Sequence, residues 1–260
     1  AGSIGLILIG AISFILLSSP IKSKINNSFS VLWSTYFGEN KISDELTTRI
    51  NFKGFDEVEH PKDGSWMVLI PAGKFIKGSD EYDESPRQES FLKSYFIDKY
   101  LVTNKQYKVF VDETKYVTRA EKNGYGMVKD NRWKKQKNAS WQKPDGILSI
   151  KGRETYPVIQ ISYEDAEAYC KWAGKEVPTE DQWEKAARGP DGNIFPWGNS
   201  ELDDSLSNYG MLIGDTSPVD VYKKVQSYYG VYDMAGNVWQ WCRDRYVPGD
   251  DSRVVKGGSF

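Results

Sequence analysis

Few side chains in this chain could do covalent or metal chemistry. His60 is its one histidine, which excludes a multi-His metal site, a His pair for acid–base work and a Ser-His-Asp triad. It precedes the segments with clear strand or helix patterning and is expected to be solvent-exposed. Cys170 and Cys242 are the two cysteines. They allow at most one internal disulfide and are too few for a Cys₄ zinc site or a disulfide-dense scaffold. Burial as small hydrophobes is the expectation for both; a Cys170–Cys242 disulfide and a metal-binding thiol pair are the alternatives. The run Asp80-Glu81-Tyr82-Asp83-Glu84 could hold a cation, but it lacks the glycine and spacing of an EF-hand loop and reads as a solvated loop. No P-loop, dinucleotide fingerprint or fixed-period repeat is present.

The elements that must position these residues are short. Trp66-Met67-Val68-Leu69-Ile70 is an apolar strand stopped by Pro71-Ala72-Gly73, and Lys74 to Gly78 reads as its return strand. A third strand is expected between Phe91 and Tyr100. Three helices carry start signals. One opens at Thr103 and spaces Tyr107, Phe110 and Val111 along one face. A second opens at Ser162, with Asp165 at the capping-box offset, and stops at Gly174. A third opens at Thr179, with Gln182 at the same offset, and ends at Gly189. Arg119 to Lys151 is polar and without period, with Trp133 and Trp141 embedded in it, and reads as a surface excursion. Short strands, three capped helices and many turns predict an α+β domain.

Composition narrows the partners. Thirty-four Lys+Arg against 36 Asp+Glu give a net charge of −2, so the chain as a whole is not a nucleic-acid-binding polycation. With 39% apolar, 14% aromatic and 27% charged residues it is not a disordered chain either. Residues 1–21 contain no charge, and Ile4 to Leu17 is almost wholly aliphatic. A stretch of ~20 residues at 1.5 Å each crosses a ~30 Å hydrocarbon layer. Residues 1–21 are therefore expected to be a single-pass membrane anchor, with a cleaved signal peptide as the alternative. Residues 22–63 read as a polar tether, and 64–260 as the folded domain.

Seven blocks in order carry a resemblance: MVLIPAGKFIKGS (67–79), FIDKYLVTNKQYKVFV (96–111), YPVIQISYEDAEAYCKWAGKEVPTEDQWEKAARG (156–189), FPWGN (195–199), SPVD (217–220), GVYDMAGNVWQWCRDRY (230–246) and RVVKGGSF (253–260). Together they resemble the formylglycine-generating enzyme, or sulfatase-modifying factor (FGE-sulfatase), family. The resemblance implies a C-type-lectin-like α+β fold with little regular secondary structure, continuing past Phe260. It also implies a cleft lined at the positions of Trp239 and Ser259.

Active members of this family use two cysteines to bind Cu(I) and oxidise a substrate cysteine to formylglycine, because soft thiolates suit Cu(I). The resemblance places that pair a few residues after Gly257-Gly258-Ser259, so copper is expected only if a cysteine pair follows Phe260. It further implies calcium at Asp233, Gly236, Val238 and Gln240, where Gln240 stands in place of the usual glutamate and removes one negative charge from the site. A second, weaker calcium position is implied at Asn208 and Tyr209, with Asp215 the nearest carboxylate.

Two functions follow as expectations. One is a membrane-anchored, extracytoplasmic, non-catalytic binding or structural module with protein partners in a membrane complex. The other is a copper-dependent formylglycine-generating oxidase whose catalytic segment lies beyond Phe260.

Overall fold

The computed structural model describes residues 47–80, 86–130, 132–223 and 225–260. The expected anchor over 1–21, most of the expected tether and all but Asp80 of the acidic run lie outside the described residues. Among the described residues, no helix is long and apolar enough to cross a membrane.

Strands β1 (Thr48–Ile50), β2 (Asp56–Glu59), β3 (Trp66–Ile70) and a later strand form one antiparallel sheet. Residues 47–63 are thus part of the folded domain, not a tether. The correction has a physical cause: Val58 pairs with Met67 and is fully buried, although its own segment shows no period. β4 (Gly73–Lys77) pairs with β5 (Gln88–Leu92), and not back onto β3 as its spacing suggested. The Pro71 and Gly73 carbonyls accept hydrogen bonds from Lys185 Nζ at 2.7 and 3.0 Å, which turns the corner away from β3. β6 (Tyr95–Asp98) takes the place beside β3, with Val68 opposite Ile97.

Helix α1 (Asn104–Thr114) is capped by Thr103. A short helix, α2 (Arg119–Asn123), follows behind a capping box of Thr118 and Glu121. The hairpin β7 (Tyr125–Asp130) and β8 (Arg132–Lys137) comes next. The Arg119–Lys151 excursion is therefore partly regular. Trp133 does face solvent, but Trp141 is 1% exposed and packs edge-on against Tyr107. Helices α3 (Tyr163–Ala173) and α4 (Glu180–Arg188) start at Ser162 and Thr179, each through a complete capping box. The hairpin β9 (Gln240–Arg245) and β10 (Arg253–Lys256) closes the described chain.

Two apolar cores result. The first joins Val68 and Ile70 of β3 to Trp183, Ala186 and Ala187 of α4, with Val231, Met234 and Cys242. The second joins Tyr107 and Phe110 of α1 to Tyr169 and Ala173 of α3, with Trp141, and Cys170 packs against it. A buried ionic cluster borders the second: Lys175 Nζ reaches Asp63 Oδ2 at 2.6 Å and Asp98 Oδ1 at 2.8 Å. His60 Nδ1 lies 3.1 Å from Asp63 Oδ1, and His60 is 3% exposed. The expectation of a solvated histidine is corrected: an imidazole paired with a carboxylate can be buried where an unpaired one could not.

Candidate functional site

Residues 230–240 form a turn that local sequence dictates closely. Asp233 and Asn237 take left-handed backbone conformations, φ 52° and 63°, as does Gly236 at 79°. Any side chain at 236 would collide with Ser207 Oγ and the Asn208 carbonyl, so the position needs glycine.

Asn237, fully buried, pins the turn. Its N–H donates to the Asn208 carbonyl (2.8 Å), its Oδ1 accepts from Ser217 N (3.0 Å), and its Nδ2 donates to the Ser217 carbonyl (3.1 Å). The β9–β10 pairing sets Gln240 opposite Lys256. Gly236 N then donates to the Gly257 carbonyl (2.7 Å), and Phe260 N to the Asn237 carbonyl (3.2 Å). The GNVW and GGS segments, at the two ends of the β9–β10 hairpin, thus adjoin. Trp239 stands at 53% exposure, and Ser259 is half-buried.

The residues implied as calcium ligands have other engagements. Gln240 Oε1 accepts from Trp183 Nε1 (2.9 Å), and Gln240 Nε2 donates to the Asp233 carbonyl (2.5 Å). Both ends of the amide are occupied. Asp215 Oδ1 accepts from Thr216 N (2.6 Å) and pairs with Arg153 Nη2 (2.9 Å). The Tyr209 carbonyl accepts from Leu212 N, and Asn208 Nδ2 donates to the Asp215 carbonyl. Val238 is half-buried.

Asp233 and Asn208 are the exceptions: Asp233 Oδ2 and Asn208 Oδ1 are both buried without a hydrogen-bond partner. Burial pushes the Asp233 carboxyl up to about 7, against a smaller downward pull from Asn237. The adjacent cavity measures about 10 Å³ and is walled by Ser207, Trp197 and Tyr222 among others. That is the size of one water, not of a substrate.

Calcium takes about six to eight oxygens, and its affinity rises with ligand charge. The side chains here supply the Asp233 carboxylate, the free Asn208 Oδ1, and a Gln240 amide already committed at both ends. Among the described residues, no group of three or more His, Cys, Asp or Glu is placed to hold a metal. Asp233 is therefore the single carboxylate among the residues implied at the first calcium position, with Gln240 bound to protein groups.

The cysteines do not fit copper. Both are free thiols. Cys242 lies in the first core and Cys170 against the second. Burial pushes each thiol up to about 12, so neither offers the thiolate that a soft metal binds.

Sequence reasoning had no access to Asn237 as the pin, to the Trp183–Gln240 bond or to the Lys175 cluster. Only the invariable cost of burying an unpaired polar group hints that such partners must exist.

A short-stranded α+β domain whose GNVW turn meets a GGS segment defines the class. The chain belongs to the family of the sulfatase-modifying factor enzyme 1-like (FGE-sulfatase) domain, whose model matches residues 54–260. Its relatives include the inactive C-alpha-formylglycine-generating enzyme 2 of Mus musculus, 36% identical over 78% of this chain and 77% of that protein. They also include the formylglycine-generating enzymes of Thermomonospora curvata, at 33% over 75% and 82%, and of Bos taurus, at 30% over 86% and 73%. Among solved structures, PvdO from Pseudomonas aeruginosa has a TM-score of 0.60 at 24% identity, covering 78% of this chain and 85% of that one. Treponema denticola variable protein 1 has a TM-score of 0.54 at 20% identity, covering 84% and 88%. These two likenesses concern the fold alone, mixed helix and strand with little regular structure.

Proposed function

We propose that this FGE-like domain is a non-catalytic binding or structural module, held at a membrane by residues 1–21 on the extracytoplasmic side and working beside protein partners. One observation carries the reading: the two thiols sit in separate cores, each held protonated by burial. The Gln240 bridge adds support, because it fixes the turn through hydrogen bonds between protein groups. The turn's exposed Trp239 offers a contact surface. A C-type-lectin-like architecture, implied by the resemblance, suits such a role, although a fold alone fixes no function.

The relatives named formylglycine-generating enzyme favour a second reading, an oxidase whose copper-binding thiols lie past Phe260. Incubation with Cu(I), oxygen and a cysteine-containing peptide, followed by mass spectrometry, separates the two. No formylglycine is expected. Turnover that survives replacement of both Cys170 and Cys242 by alanine would establish the oxidase and locate its thiols elsewhere.

A further inference from the structure

The hairpin β7–β8 has two unlike faces. Its register sets Tyr125 opposite Lys137, Met127 opposite Lys135 and Lys129 opposite Trp133. Because side chains alternate along a strand, these six share one face. The other face meets the domain. Gly126 is buried where a side chain would strike Gln160, and Gln136 lies against Gly146. Gln160 fastens the strand by accepting from Met127 N (3.2 Å) and donating to the Met127 carbonyl (2.9 Å).

The outward face carries three lysines and three apolar or aromatic side chains, with no carboxylate among the six. Trp133 is 61% exposed and Met127 43%. Lys135 Nζ stands 4.5 Å above the Tyr125 ring.

We propose that this face docks on an anionic phospholipid surface. Its amines complement phosphate headgroups, and each lysine at such a surface adds to binding. Indole and phenol rings favour the zone where one end is apolar and the other wet, and lysine stems lie along apolar surface while the ammonium stays in water. Net charge does not separate the two anionic occupants, since a chain at −2 is drawn at long range to neither a bilayer nor a soluble nucleic acid. The choice of lipid as occupant rests on the proposed anchor, the aliphatic Ile4–Leu17 stretch, which would bring the domain to a bilayer.

The test reconstitutes the full chain into vesicles of phosphatidylcholine alone, or with a third of the lipid replaced by phosphatidylglycerol. The readout is quenching of tryptophan fluorescence by bromine-labelled lipid. Quenching is expected to be greater in the anionic vesicles. The excess should vanish in Trp133→Phe, in the triple variant Lys129→Gln/Lys135→Gln/Lys137→Gln, and in molar salt, with melting temperatures unchanged because these side chains are exposed. Equal quenching in both vesicles, or an excess that survives the triple variant, overturns the proposal. So does tighter binding through the same three lysines to an oligonucleotide than to anionic vesicles at equal phosphate concentration, which would assign the face to a soluble nucleic acid. Failure of the anchor is read separately, as protein stripped from neutral vesicles by alkaline carbonate. In that case co-sedimentation with anionic vesicles still tests the hairpin.

Discussion

Gln240 shows how one amide changes what a turn can do. A glutamate at this position would set a negative charge against the Asp233 carbonyl; the amide instead links Trp183 Nε1 to it. Chelators are therefore expected to leave the melting temperature of the unmodified protein where it is. Gln240→Glu should behave differently. It removes the donor to the Asp233 carbonyl and sets a carboxylate against that carbonyl oxygen, which costs about 2 kcal/mol without metal. Millimolar calcium should then recover that loss, since a ligand at ~100 times its Kd stabilises by about 2.7 kcal/mol. Thermal melts with and without calcium check both halves, and a calcium-dependent shift in the unmodified protein would refute the reading. The 233–240 spacing was legible in sequence because these residues are neighbours along the chain. The role of Gln240 was not, because Trp183 lies 57 positions away.

At the scale of elements, helix starts were read correctly wherever a capping residue preceded a periodic face. Thr103, Ser162 and Thr179 all cap as their offsets required. Thr118 carries the same signal, with Glu121 three residues on, but α2 is five residues long and has no apolar period to reveal it. What holds so short a helix is tertiary: buried Asp165, in the first turn of α3, accepts from Arg119 N (3.0 Å), from Tyr116 Oη (3.0 Å) and from Ser162 N (2.9 Å). Isolated helices of this length do not persist. Thr118→Ala is expected to cost about 1 kcal/mol, the usual value of a cap. Asp165→Ala should cost about 3 kcal/mol, because it strands several donors at once. Denaturant titration should give that order, and hydrogen exchange should show protection lost at residues 119–123 in both variants. Equal effects, or an intact α2 in Asp165→Ala, would mean that α2 is held by something else. The partner of β4 failed to show in sequence for a related reason. Local spacing proposes a hairpin, whereas the Lys185 contact that turns the corner comes from a helix more than a hundred residues later.

Across the whole molecule, the segment ahead of β3 is bound to the end of α3 by charge, not by apolar packing. Lys175 is held by Asp63, Ser65 and Asp98 together, and Tyr169 Oη donates to Asp63 Oδ2 at 2.8 Å. Nothing in residues 47–63 announces this, because each member is an ordinary polar residue until partners up to 112 positions away are in place. The arrangement has a consequence for acid stability. Burial alone would raise the Asp63 carboxyl, but the His60 hydrogen bond and the Lys175 ammonium outweigh it and hold the group well below the usual carboxylate range. A carboxyl depressed in the folded state binds fewer protons there than in the unfolded chain. Its stabilisation is therefore present above the unfolded value, about pH 4, and is lost as pH falls below it. Asp63→Asn should lower the melting temperature at pH 7 by an amount corresponding to about 3 kcal/mol, because it leaves buried Lys175 with one carboxylate fewer. The same variant should lose less on acidification than the unmodified protein, so the two melting curves converge below pH 4. Parallel pH profiles would mean that Asp63 is not the group whose protonation releases the segment from α3.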